Sequence, residues 1–461
     1  MFELYPPRGA SRLEGAPGLA RRYYRPAVEP IDGEPVPSGT RRARTSAVVR
    51  GLAVDITPLR VSRDFRLLWT GELVSMVGRQ ITIVALPFQV FLLTKSSFAV
   101  GAIGLVAIVP LIVASIWAGP IIDRLDRRKL IVGTEIGLGM TSGLLALGAF
   151  MHTGSLAYLY LIAALQAALS GVNSPARSAA VPNLIPAEHL PSAFALNQVM
   201  FTTSIIAGPA LGGVIIAKVG LPWAYSTDAL TFLMSISAAF LLRPLPPQRA
   251  EGEGEPRGWR AIREGFAYVR PRPVLVSTFV IDLDAMIFGM PRAVFPVLAL
   301  VILKVGPTGL GLMNAAPGVG ALIGALTAGW VPAVRRQGLA VLVSVTVWGA
   351  AIVAFGLTMR TFYLGLSFLA VAGWADVISA VFRQTILQLA VPDRLRGRIS
   401  GIHIMVVTGG PRLGDAEAGA VASLVSPWFS VVSGGALCVV GVAVIAMFLP
   451  QLGRYRAGQD L

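Results

Sequence analysis

Apolar residues along this chain do not alternate with a period of two, and they do not form the single stripe of a surface helix. From Phe65 onward they come in nearly continuous runs of 18 or more residues, separated by short polar turns. A helix needs about 20 apolar residues to cross the hydrocarbon core of a bilayer. The runs predict spans at 65–93, 98–121, 130–151, 155–176, 192–217, 222–242, 274–303, 308–330, 338–358, 361–383, 399–425 and 428–449, twelve in all. Barrel strands would alternate over about 10 residues, so the expected fold class is an all-α membrane protein.

Composition supports this reading. Hydrophobic residues make up 54% and charged residues 14% of the 461, against about 25% charged in a soluble domain. That excludes a disordered chain and argues against a soluble enzyme, whose surface so few charges could not cover. Residues 1–63 differ: they are rich in Pro, Gly and Arg and have no apolar period. They read as a disordered cytoplasmic tail, or as the product of a start placed too early, with the true start between Val48 and Val61. They contain no signal-peptide core.

The formal net charge of +15 raises the question of nucleic acid. The distribution of the cations answers it. With the N-terminus inside, the inner loops hold Arg124, Arg127, Arg128 and Lys129, then Arg177, the 243–273 linker, Arg335 and Arg336, and Arg394, Arg396 and Arg398. The outer loops hold Lys95, Lys218, Lys304 and Arg360. This is positive-inside asymmetry, not a stripe that could follow a phosphate backbone. It predicts a multi-pass cell-membrane protein with both termini cytoplasmic, in contact with lipid and not with nucleic acid. The single cysteine, Cys438, excludes an intramolecular disulfide.

The linker 243–273, with Pro244, Pro246, Pro247 and the acidic run 251–255, divides the spans six and six. Its stretch from Trp259 to Val269 has the pattern of a short amphipathic helix. An internal repeat supports the division. Glu72 and Asp282, Gly101 and Gly311, and Gly119 and Gly329 are each 210 positions apart, and Gly208-Pro-Ala-Leu-Gly-Gly213 matches Gly410-Pro-Arg-Leu-Gly-Asp415. The expected organisation is a tail (1–63), a six-helix bundle (64–242), a cytoplasmic linker (243–273), a second bundle (274–450) and a cytoplasmic tail (451–461). Two such halves around a midplane site are transporter architecture.

The sharpest motif is Gly119-Pro-Ile-Ile-Asp123-Arg124-Leu-Asp126-Arg127-Arg128, between spans 2 and 3. Carboxylates beside cations at helix ends can pair in one conformation and separate in another. The second-half equivalent keeps Gly329 but has Ala333 in place of the first carboxylate. The motif resembles the loop signature of the major facilitator superfamily, and the resemblance covers roughly residues 60–450. Within that superfamily the chain is similar to the enterobactin-exporter, or transmembrane secretion effector, group. This second likeness rests on Asp64 to Trp69, Pro87 to Val90, Val391 to Arg398, and Gly414-Asp415. The resemblance implies two pseudo-symmetric six-helix bundles. It also implies a conformational latch of Gly119, Asp123, Arg124, Arg127 and Arg128. Gly208, Pro209, Gly212 and Gly213 resemble the antiporter motif of exporters, with Ser204 where a further glycine often stands.

Ionisable residues inside membrane helices cost about 2.5–3.5 kcal/mol each at the centre and are functional candidates. Glu72 and Arg79 share a face of span 1, Asp282, Asp284 and Arg292 fall in span 7, and Asp376 in span 10. Arg412, Asp415 and Glu417 fall in span 11, where Arg412 and Asp415 are spaced to pair. Proton-driven drug exporters often carry an arginine in span 4; the expected span has none, and Gln166 is its main polar group. No ATP-binding loop, metal-ligand spacing or cofactor motif is present, and His152, His189 and His403 do not cluster in sequence with carboxylates. The expected function is a monomeric secondary transporter, not an enzyme. It would export an amphipathic small molecule, a siderophore or an antibiotic, by alternating access with proton antiport. An importer or a facilitator uncoupled from protons is the alternative.

Overall fold

Each long apolar run becomes a helix because lipid offers its backbone no hydrogen-bond partner outside the segment. The computed structural model describes residues 55–152, 155–246 and 259–456. The tail over 1–54, the acidic run 251–255 and residues 457–461 lie outside them. Twelve long helices are described: α1 Arg63–Thr94, α2 Ser97–Ile122, α3 Arg127–Phe150, α4 Leu156–Leu184, α5 Leu190–Val219, α6 Leu221–Phe240, α7 Pro273–Phe288, α8 Gly306–Thr327, α9 Gln337–Leu357, α10 Phe362–Ala390, α11 Asp393–Leu424 and α12 Pro427–Phe448. Among the described residues, ten of these segments, α7 counted with its continuation to Ile302, are long and apolar enough to cross a membrane. The other two, α6 and α11, are more polar: α6 carries Asp228 and several hydroxyls, and α11 carries Arg412, Asp415 and Glu417. Both are packed among the ten.

The two sets of six make the same pairings. In the first, α1 packs on α5 and α6, α3 on α4 and α6, and α2 on α4; in the second, α7 packs on α11 and α12, α9 on α10 and α12, and α8 on α10. The sets meet along two seams, α2 against α11 and α5 against α8. The seams are tight at the end away from the 243–273 connection. There, a Cβ on Gly101 would strike the Asp415 carbonyl, and one on Gly419 would strike Ser97. On the other seam Gly213 and Gly311 lie backbone against backbone. At the linker end, a Cβ on Gly119 of α2 or on Gly329 after α8 would meet nothing within 4 Å. The halves therefore form a cleft that is sealed at the far end and open at the linker end. The glycines that repeat 210 positions apart occupy matching places in it.

Several boundaries differ from the hydropathy reading. α4 runs to Leu184 and α10 to Ala390, well past 176 and 383. Arg177 is thus a helix residue and not a loop cation, and Arg394, Arg396 and Arg398 fall in the first turns of α11. Thr57–Val61 is a short helix inside the stretch assigned to the tail. α7 stops at Phe288, where Gly289, Met290 and Pro291 break it; the chain resumes through a tight turn at Arg292–Val294 and a wider-wound turn at Leu298–Ile302. The Gly289 carbonyl left free by the break accepts from Trp348 Nε1 of α9 at 2.7 Å. Trp259–Val269 is a helix as its pattern predicts, and its Glu264 pairs with Arg398 of α11 at 2.5 Å.

Candidate functional site

Glu72 and Arg79 are two helical turns apart, which puts them on one face of α1, and Arg79 Nη2 lies 3.0 Å from Glu72 Oε1. The centre of this group is a residue the sequence reading placed elsewhere. Arg177 of α4, 6% exposed, reaches Glu72 at 2.5 Å and Glu135 of α3 at 2.8 Å. It also donates to Asn173 Oδ1 at 3.2 Å and to Ser235 Oγ of α6 at 2.8 Å. Asn173 in turn donates to Glu135 and Thr134. Two carboxylates and two guanidiniums thereby join α1, α3, α4 and α6. Span 4 carries an arginine after all, because the helix extends past the apolar run that marked it.

The second half repeats the pair. Asp282 of α7, 1% exposed, faces Arg383 of α10 at 3.1 Å. Arg383 is 206 positions from Arg177, as Asp282 is 210 from Glu72. Asp376 lies 3.7 Å from the same Arg383 nitrogen, and its side chain is 36% exposed. His403 of α11 brings Nδ1 to 3.7 Å from Asp282, while its Nε2 lies 3.1 Å from Gln384. The repeat could have pointed to Arg383, since its offset from Arg177 lies between those of the other matched pairs, but Arg383 stood at the edge of the predicted span. His403 forms a group with carboxylates in space that its sequence neighbours do not suggest.

Between the halves lies a cavity of about 360 Å³, within the size range of small-molecule sites. Its wall is largely apolar, including Ile83, Leu86, Ile103, Leu138, Phe232 and Leu310. Arg79, Arg292 and Arg412 provide cations, Asp228 and Asp415 carboxylates, and Gln166 and Asn314 amides. The α7 break is what delivers Arg292 to this wall. Asp228, absent from the candidates, is 1% exposed; Thr82 and Ser142 donate to its Oδ2 at 2.5 and 2.8 Å, while its Oδ1 has no hydrogen-bond partner. Arg412 and Asp415 both face the cavity, but they form no ion pair within 4.0 Å: Arg412 donates to the Thr408 carbonyl at 2.6 Å instead. The three-residue spacing allowed pairing, and the backbone acceptor one turn back prevailed. Glu417 is half-buried and does not line the cavity. Asp284 packs over Gly441 of α12.

Asp126 and Arg128 tie the α2–α3 loop to its own half. Asp126 caps α3, accepting from the Arg128 and Leu245 N–H groups at 2.8 and 3.1 Å. Arg128 donates to the Ala239 and Phe240 carbonyls at the end of α6, a helix terminus that favours cations. Arg127 is buried, and Asp123 and Arg124 are exposed. In α5, Gly208 and Gly212 pack on Gln80 and Ile81 of α1, while Gly213 faces α8 across the seam. The matching α11 positions repeat this: Gly410 and Gly414 pack on α7 at Met286 and Ile287, and Asp415 stands where Gly213 would. The antiporter-type motif is therefore a helix crossing that touches both halves.

Two like bundles, two seams and a central, largely apolar cleft define a transporter of the major facilitator type. The same fold recurs in a point mutant of the nucleoside transporter NupG, at a TM-score of 0.67 and 12% identity, covering 85% of this chain and 100% of that one. It recurs in a bacterial homologue of the iron transporter ferroportin in its inward-facing state, at 0.63 and 14% identity, covering 85% and 98%. Over residues 53–457 the sequence matches the transmembrane secretion effector family, and the chain belongs to it. It is 28% identical over 407 residues to the enterobactin exporter EntS of Citrobacter koseri, a match spanning 87% of this chain and 96% of that protein. The protein is thus a multi-pass membrane transporter and not an enzyme.

Proposed function

We propose that the protein is a proton-driven exporter of an amphipathic small molecule, a siderophore of the enterobactin kind or an antibiotic of similar character, working as a monomer by alternating access. The observation that carries this reading is the cleft: largely apolar walls with three arginines and two carboxylates, open at one end and closed at the other. The arginine-rich loops all lie at the open end, which on the positive-inside rule is the cytoplasm. In that orientation both termini are cytoplasmic, in the inner membrane of a bacterial cell, and the cleft is poised to accept cargo from inside. The relatives named as enterobactin exporters favour export and a siderophore-like cargo.

Release requires the far seams to part and the linker end to close. In the closed state the Gly119–Arg128 loop would bear on the other half as a latch, with Gly119 and Gly329 allowing close approach. A ligand drives this exchange only by its differential affinity for the two states. The test is uptake into inverted membrane vesicles of radiolabelled enterobactin, with a macrolide run in parallel. Uptake that collapses with a protonophore is the expected result. Uptake indifferent to the proton gradient would instead assign a facilitator uncoupled from protons.

A further inference from the structure

The two halves carry matching carboxylate–arginine pairs with different sums of charge. In the first half Glu72 and Glu135 are balanced by Arg79 and Arg177. That group is neutral with every member ionised and needs no proton. In the second half Asp282 and Asp376 share one guanidinium, since the same Arg383 nitrogen lies 3.1 Å from the first and 3.7 Å from the second. The remaining base in contact is His403, 3.7 Å from Asp282. With the histidine neutral and both carboxylates ionised, the group holds one surplus negative charge beside residues 1% and 2% exposed. A surplus buried charge is costly, and a single proton removes it.

Among the described residues, the surroundings offer no other cation in contact. α8 and α9 contain no charged residue. On α7, Asp284 turns toward α12, where it meets Cys438 and Gly441. On α11, Arg398 is engaged by Glu264 of the linker helix, while Arg412 and Asp415 face the cavity and Glu417 lies beyond them. Arg292, after the α7 break, forms no ion pair with Asp376 within 4.0 Å, whereas Arg383 does.

We infer that Asp282, Asp376, Arg383 and His403 together bind the coupling proton, and that the Glu72–Arg79–Glu135–Arg177 group is a proton-free brace. The inference rests on the proton-driven reading above and assigns its site. Asp376 is the most exposed member of the group, while Asp282 and Arg383 are buried. Arg383 Nε and Nη1 have no hydrogen-bond partner, whereas Arg177 uses Nε and Nη2 in hydrogen bonds to Asn173 and Ser235. One Arg383 nitrogen faces both aspartates, so it can favour one or the other as the proton arrives or leaves. The proton belongs to the group as a whole, because closely coupled sites titrate together.

The experiment uses the full-length protein in lipid nanodiscs, spin-labelled at Leu125→Cys and Arg335→Cys, two exposed positions on opposite sides of the open end. Label-to-label distances give the ratio of open to closed molecules from about pH 5 to about pH 9, and one coupled proton changes that ratio by at most about tenfold per pH unit. The expected result is a clear slope in the parent protein, reduced to under about twofold per unit in Asp376→Asn, which removes the surplus charge, and kept with a displaced midpoint in His403→Gln, where two carboxylates still share one guanidinium. Asp376→Glu should restore the slope with a displaced midpoint, which a merely structural role would not do. If Asp376→Asn keeps the parental slope while enterobactin uptake still collapses with a protonophore, the site assignment is wrong and the proton-driven reading survives. If the parent shows no slope and uptake ignores the protonophore, both are overturned.

Discussion

At the scale of single residues, Arg177 shows how much one buried charge can hold. Its guanidinium serves Glu72, Glu135, Asn173 and Ser235 at once. Arg177→Met would leave two buried carboxylates without their main partner, a change that costs roughly 3–5 kcal/mol when a buried pair is broken. The expected outcome is a large drop in thermal midpoint in detergent; a midpoint within error of the parent would contradict the brace. A gentler test lies outside the membrane. Asp55 accepts from Thr57 through both side chain and backbone and from Ser192 at the start of α5, and these bonds hold its carboxyl down at about 2. A carboxyl lowered in the folded state contributes stability that is present above its ordinary value near 4 and lost as pH falls toward about 2. Proteolysis around Thr57–Val61 should therefore accelerate only in that acid window, and Asp55→Asn should remove the dependence.

Glu72, Arg79, Asp282, Asp376, Arg412 and Asp415 were legible because a charge inside an apolar run stands out. Arg177 and Arg383 were not, since each lies where the run fades into polar residues and so reads as a flank. Only the helix that continues around them, buried by its neighbours, makes them interior. Glu135 and Asp228 were masked differently: their helices also carry Thr and Ser, and a polar helix face gives no sign of which carboxylate is buried.

At the scale of helices, the interruption of α7 matters most. Hydropathy reads 274–303 as one span because the residues around Gly289 and Pro291 stay apolar, although Pro removes a backbone donor and favours a break. Trp348 closes the break by donating to the Gly289 carbonyl. Trp348→Phe keeps an aromatic ring and leaves that buried acceptor unpaired, at a cost of about 1–3 kcal/mol. Hydrogen exchange should then rise at Phe288–Val294 and not in the matching stretch of α1. The pair Glu264–Arg398 lies at the edge, with Glu264 47% exposed. Exposed pairs contribute about 0–1 kcal/mol, so Glu264→Gln should leave the thermal midpoint almost where the parent has it.

At the scale of the molecule, the repeated glycines were read from spacing alone, and they mark the sealed and open ends of both seams. Gly101→Val would drive a side chain into the Asp415 backbone. It should disfavour the state seen here, and spin labels across the linker end should report a larger closed fraction. A variant with unchanged populations would show that the seam tolerates widening. What spacing could not reveal is which end is shut, because that depends on the rigid placement of one bundle against the other.

The sealed seams rest on main chain against main chain at Gly101, Gly213, Gly311 and Gly419. Such a gate has no swinging side chain that a fluctuation could rotate aside. Solute cannot slip through by a local lapse, and passage awaits separation of whole bundles. The construction favours tight coupling over throughput: leakage down the cargo's own gradient should be slight even when the driving force is withdrawn.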